Sequence, residues 1–162
     1  MEDYRKMAEA NQRRGREIIA ETQLVESWEA IGAQANLIGS LSTGLMMKKL
    51  DIDMHVYTDT LSIKESFRAA ARIASHPGIV RMEYTNLIDT EEECIEWHAA
   101  YRDRDGRMWK MDMIHIRRGS AYDGFAERMA SRIGAVLTEE TRDAILRLKY
   151  ETPDTESIIG AE

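Results

Sequence analysis

Apolar residues recur through the first thirty positions at mixed three- and four-residue steps (Met7, Ala10, Ile18, Ile19, Val25, Trp28, Ile31), with charges between them. That spacing predicts a helix over 4–31. Ala35 to Ile38 is a short apolar run ending at Gly39-Ser40, which predicts a buried strand feeding a tight turn, and Thr43 to Lys49 reads as one or two helical turns. The period then changes to two. Leu50, Ile52, Met54 and Val56 alternate with Asp51, Asp53 and His55, the mark of a half-buried strand with one polar face. A helix over Thr60–Ala74 follows, with a Thr or Ser cap, Glu65 in an early turn and His76-Pro77-Gly78 as its stop. Ile79–Ile88, Glu93–Tyr101 and Met108–Ile116 read as three strands. Asp105-Gly106 is a hairpin signal between the last two, with Trp97 and Trp109 placed to pair across it. Two helices, Asp123–Ile133 and Thr138–Tyr150, precede Pro153, and Thr155 to Glu162 reads as the start of a further element.

Strands and helices that mix without strict alternation predict an α/β or α+β fold with a mixed sheet of about five strands flanked by helices. The expected organisation is one domain over 1–162: an N-terminal helix at 4–31, a core at 35–116 and C-terminal helices at 122–150. Composition narrows the class. The chain has 162 residues, 43% of them hydrophobic, with 22 Lys+Arg against 29 Asp+Glu and a formal charge of −7. This excludes a disordered or fibrous chain, and the acidic balance argues against a long polynucleotide as the main partner. The single cysteine, Cys94, the charged first twenty residues and the lack of a long apolar run predict a cytoplasmic protein with no membrane partner.

Asp51 and Asp53 stand at i and i+2 of one strand, so their carboxylates share a face roughly 7 Å apart along the chain. Like charges held side by side call for a cation between them, and hard oxygen ligands suit Mg²⁺ or Mn²⁺. Gly39-Ser40 lies just upstream, with Gly44 after it. A small residue there lets a phosphate reach backbone N–H groups, and the Ser40 hydroxyl adds a hydrogen bond.

The spacing Gly39-Ser40-x3-Gly44-x6-Asp51-x-Asp53 resembles that of the nucleotidyltransferase superfamily, the polymerase-beta-like fold, whose small members include minimal and antibiotic-modifying nucleotidyltransferases. The resemblance covers residues 35 to 116. It implies that the Gly-Ser turn holds a nucleoside triphosphate, that Asp51 and Asp53 bind metal, and that a third acid on a later strand completes the site. Asp112, inside the apolar run from Trp109 to Ile116, fits that third place. The implied nucleotide-binding set is Gly39, Ser40, Gly44, Lys48 and Lys49, with Arg102 and Arg104 as weaker sources of positive charge. Leu50 stands where relatives often carry Ser or Thr, and Leu41-Ser42-Thr43 where many carry an Arg.

The activity so implied is transfer of a nucleoside monophosphate, AMP from ATP, to a hydroxyl of a small molecule or protein, with Mg²⁺ or Mn²⁺ as cofactor. A possible homodimer would complete the pocket. A non-catalytic nucleotide sensor or partner subunit of the same fold is the alternative. Glu96 and His98 share a strand face and are candidates for the acceptor side. His55 and His115 are expected to serve the sheet, His76 a helix end and Cys94 the core.

Overall fold

The computed structural model describes residues 3–153. The N-terminal periodicity forms two helices, α1 (Asp3–Glu21) and α2 (Leu24–Glu29), not one over 4–31. The break falls at Thr22, whose hydroxyl bonds back to the Ile18 carbonyl at 2.8 Å, and at Gln23, which takes a left-handed conformation with φ 51°. A hydroxyl competing for a helix carbonyl weakens the ladder at that turn. Then come β1 (Gln34–Ile38), a short helical turn α3 (Gly39–Thr43), β2 (Asp51–Thr58) and α4 (Ile63–Ala74). The strands β3 (Ile79–Leu87), β4 (Cys94–Arg102) and β5 (Met108–Arg117) and the helices α5 (Phe125–Val136) and α6 (Glu139–Glu151) complete the order. The helical turn expected at Thr43–Lys49 thus starts four residues earlier, and 45–47 run irregularly into β2. The tail from Thr155 lies outside the described residues.

Local chemistry sets the boundaries. Ser62 caps α4, its hydroxyl accepting from the Glu65 amide at 3.2 Å, and Thr138 caps α6 by accepting from the Thr141 amide at 3.1 Å. Asp103 organises the β4–β5 hairpin: its carboxylate accepts from the Asp105 and Arg107 amides, each at 2.9 Å, and from the Trp109 indole N–H at 3.0 Å. Trp97 and Trp109 do not pair across that hairpin. Trp109 stands opposite Tyr101, while Trp97 meets Phe67 edge to face and Tyr84 at a tilt.

The sheet order is β1-β2-β5-β4-β3. Only β2 and β5 run parallel, joined through α4, β3 and β4. One sheet face carries Ile52, Met54, Val56, Ile95, Trp97, Met111 and Met113 and packs on Ile18, Trp28 and Leu41, with Ala69, Ala70 and Ile73 of α4. Burying side chains of this size contributes about 1.5–3 kcal/mol each. Within this core His115 is fully buried yet satisfied. Thr58 donates to the Thr60 carbonyl, so its oxygen accepts from His115 Nε2 (2.7 Å); His115 Nδ1 accepts from Ser66 (3.0 Å), which accepts from the Trp97 indole (2.8 Å). Burial lowers its pKa to about 4, so the ring is neutral.

The opposite face carries the polar residues of β2, β4 and β5. Its far end is closed by a small apolar group, Tyr57, Cys94 and Ile116, beneath α5, whose Glu127 accepts from the Tyr57 hydroxyl.

Candidate active site

Because β2 and β5 are parallel neighbours in register, Asp53 stands directly opposite Asp112, and Asp51 opposite Lys110. The pairing continues across the sheet: Ile38 opposes Asp53, Asp112 opposes His98, and His98 opposes Glu83. One transverse row therefore runs Ile38, Asp53, Asp112, His98, Glu83 over five strands. The three aspartates proposed from the sequence come from two strands far apart in the chain, and the parallel register brings them to one place.

Their electrostatics follow from that crowding. Burial and the charges of Asp112 and Asp51, with a hydrogen-bonding contact to Asp112, push the Asp53 carboxyl up to about 7. Burial, then the Asp112 charge, also raises Asp51, against the pull of Lys110, Lys49 and Lys149. Carboxylates held together at such a cost are suited to a divalent cation, which restores the charged form of each ligand. Asp51, Asp53 and Asp112 are candidates to hold a metal on their register and electrostatics, although among the described residues the group of three ligand atoms within 4.8 Å of one another is Glu92, Cys94 and Glu96.

Gly39 follows Ile38, so the β1–β2 register fixes it against Asp53. It has φ +74°, and a Cβ on it would strike Oδ2 of Asp53 and lie 3.1 Å from Cγ. Any side chain here would both strain the backbone and displace the acid. Ser40 is the next residue of the turn and is half-buried. The Gly-Ser pair and the acid strand are therefore one packed unit.

Gly44 and Lys48 serve a different set of contacts. Gly44, at φ +76°, leaves room for Arg142, where a Cβ would collide with its Nη1. Arg142 donates to the carbonyls of Thr43 (3.3 Å) and Gly44 (3.0 Å), Gln12 to those of Gly44 (2.9 Å) and Met46 (3.3 Å), Lys149 to Leu45 (2.8 Å) and Asn11 to Met47 (2.7 Å). The irregular stretch between α3 and β2 thus has its carbonyls satisfied by side chains of α1 and α6, as buried backbone requires. Lys48 donates to the Thr152 carbonyl at 2.7 Å. Lys49 is exposed and acts on the Asp51 charge.

Two cations near the acids were absent from the sequence reading. Lys110 shares a face with Asp112 at i and i+2, a signal that strand periodicity carries. Lys149 arrives from α6 and nothing local marks it. Burial lowers its pKa while Asp51 opposes that shift.

Of the two residues expected on the acceptor side, His98 has Nδ1 2.5 Å from Oδ1 of Asp112 and Nε2 3.3 Å from Oε2 of Glu96. Burial pulls the imidazole down, but the hydrogen bonds of Asp112 and Glu96 outweigh it and raise the pKa above the ordinary histidine value. His55 lies 3.5 Å from the Tyr57 hydroxyl, and His76 accepts from the Gly78 amide at 3.0 Å. Arg104 pairs with Glu17 at 3.6 Å. Glu92, Cys94 and Glu96 place their ligand atoms within 4.8 Å of one another. Burial and those carboxylates push the Cys94 thiol up to about 12.

Compared by sequence, the chain matches no protein-family model and no curated protein. Its structure is similar to the Cid1 poly(U) polymerase bound to MgGTP, at TM-score 0.64 and 16% identity over 92% of this chain and 45% of that one. It is also similar to the non-canonical poly(A) polymerase complex GLD-2–GLD-3, at TM-score 0.58 and 8% identity over 92% and 50%. A cytoplasmic RNA terminal U-transferase matches at TM-score 0.57 and 14% identity over 93% and 46%. The chain therefore shares the fold of these polymerase and transferase structures, and it spans about half their length.

Proposed function

We propose that this chain transfers a nucleoside monophosphate, AMP from ATP, to a hydroxyl of a small molecule or protein in a metal-dependent reaction. The observation that carries the reading is the opposition of Asp53 and Asp112 on parallel neighbours, with Gly39 and Ser40 packed against Asp53. Asp51, Asp53 and Asp112 would hold Mg²⁺ or Mn²⁺, which would supply charge neutralisation at the phosphates. Gly39 and Ser40 would receive the triphosphate, with Lys49, Lys110 and Lys149 lending positive charge. The acceptor oxygen forms a bond to the α-phosphorus, the bond to pyrophosphate breaks, and the acceptor proton passes to the Asp112 carboxylate.

The acceptor class rests on charge. Glu83 and Glu96 flank His98 on the open sheet face, and the chain is net acidic, which disfavours a phosphate backbone. The neighbours whose descriptions name RNA or poly(U) are about twice as long. The test is incubation of α-labelled ATP and Mg²⁺ with separate lysate fractions of metabolites, proteins and RNA, with Asp53→Asn as control. Label on a metabolite or protein, with pyrophosphate release lost in the variant, is the expected result. Elongation of RNA overturns the acceptor assignment. Tight ATP binding without turnover would favour the nucleotide sensor, a reading that Leu50 before Asp51 keeps open.

A further inference from the structure

Resting on that reading of the site, we propose that His98 is a positioning residue: it fixes the Asp112 carboxylate for the metal. The reason lies in its donors and acceptors. Oδ1 of Asp112 lies 2.5 Å from Nδ1, and Oε2 of Glu96 lies 3.3 Å from Nε2. The 2.5 Å contact ties the ring to Oδ1 of Asp112, and the cross-strand register holds the two side chains together.

The placement supports the same role. His98 stands directly opposite Asp112 in the antiparallel β4–β5 ladder, and Glu96 is two residues away on the same face. Both are tied to strand backbone, so the chain Glu96, His98, Asp112 is oriented by the sheet. His98 holds Oδ1 of Asp112. It also sets a donor beside a carboxylate that already faces Asp53. Groups that orient metal ligands in this way typically affect metal affinity about 10–100-fold. His98 is one-third exposed and Asp112 about one-fifth, so the bond is reachable by substitution without opening the core.

The experiment titrates Mn²⁺ alone into the full chain by electron paramagnetic resonance, and separately follows the pH profile of nucleotidyl transfer. His98→Ala is expected to weaken Mn²⁺ about tenfold or more. His98→Asn, whose amide N–H replaces Nδ1, is expected to stay within about threefold of the parent. Glu96→Gln, which keeps an acceptor for the ring, should likewise stay close to the parent. Transfer by His98→Asn should keep the parent's pH profile. If Mn²⁺ affinity is unchanged in His98→Ala, or if His98→Asn loses the acidic limb of the pH profile, the positioning role is overturned. If Asp53→Asn also leaves Mn²⁺ affinity unchanged, the assignment of the acids as a metal site falls instead. Thermal melts of each variant show that it is folded.

Discussion

At the scale of single residues, the site is built from side chains whose positions cost stability. Gly39 is the clearest case, because its positive φ and its contact with Asp53 exclude a Cβ. Gly39→Ala is expected to lower stability by about 1 kcal/mol or more, read from urea midpoints, and to weaken Mn²⁺ binding by displacing Asp53. Asp53 itself has a folded pKa of about 7, raised from 3.8 mainly by burial and then by Asp112 and Asp51. A carboxyl raised on folding binds a proton more tightly in the native state. Its repulsion is absent below pH 4 and complete above pH 7. Asp53→Asn should therefore raise the melting temperature in metal-free buffer at pH 8, have little effect at pH 4, and respond less to added Mg²⁺. His115 shifts the other way, down to about 4 from 6.5 by burial. Its contribution is present above pH 6.5 and is lost as pH falls toward 4. The stability gap between the parent and His115→Gln should shrink by about 2–3 kcal/mol between pH 7.5 and pH 4.5, as unfolding curves would show.

At the scale of elements, the parallel pairing of β2 with β5 brings the acids together, and the irregular stretch before β2 decides how firmly. Its carbonyls from Thr43 to Met47 accept hydrogen bonds from Asn11 and Gln12 of α1 and from Arg142 and Lys149 of α6. Two helices from opposite ends of the sequence thus hold the segment that joins the Gly-Ser turn to the acid strand. Arg142→Leu and Lys149→Met each leave carbonyls without their donors and should cost about 1–3 kcal/mol. Hydrogen exchange should speed up at the Leu45 amide, which bonds to the Ser40 carbonyl at 2.8 Å, while amides of β4 stay protected. Equal acceleration in both places would mean global unfolding and count against this role for α6.

At the scale of the whole molecule, an apolar face carries the fold and a polar face carries the site, and no helix among the described residues is long and apolar enough to cross a membrane. A formal charge of −7 predicts no measurable binding to single-stranded RNA in anisotropy titrations at about 0.15 M salt; an affinity that falls steeply with added salt would contradict it. Alternation from Leu50 to Val56 and from Met108 to Ile116 made the acid strands legible, because a two-residue period assigns each side chain to a face without tertiary information. Gly39-Ser40 was legible because its spacing to the acids is short. The break at Gln23 was not, since apolar steps continue through it and only the backbone turns. The sequence by itself determined five strands, the faces of β2, β4 and β5, and three candidate acids. Only the tertiary structure decided that Asp53 faces Asp112, that His98 grips Asp112, and that Lys149 and Arg142 reach the loop before β2. These pairings depend on strand order and helix docking, which join residues from 14 to 104 positions apart and leave no local pattern in the chain.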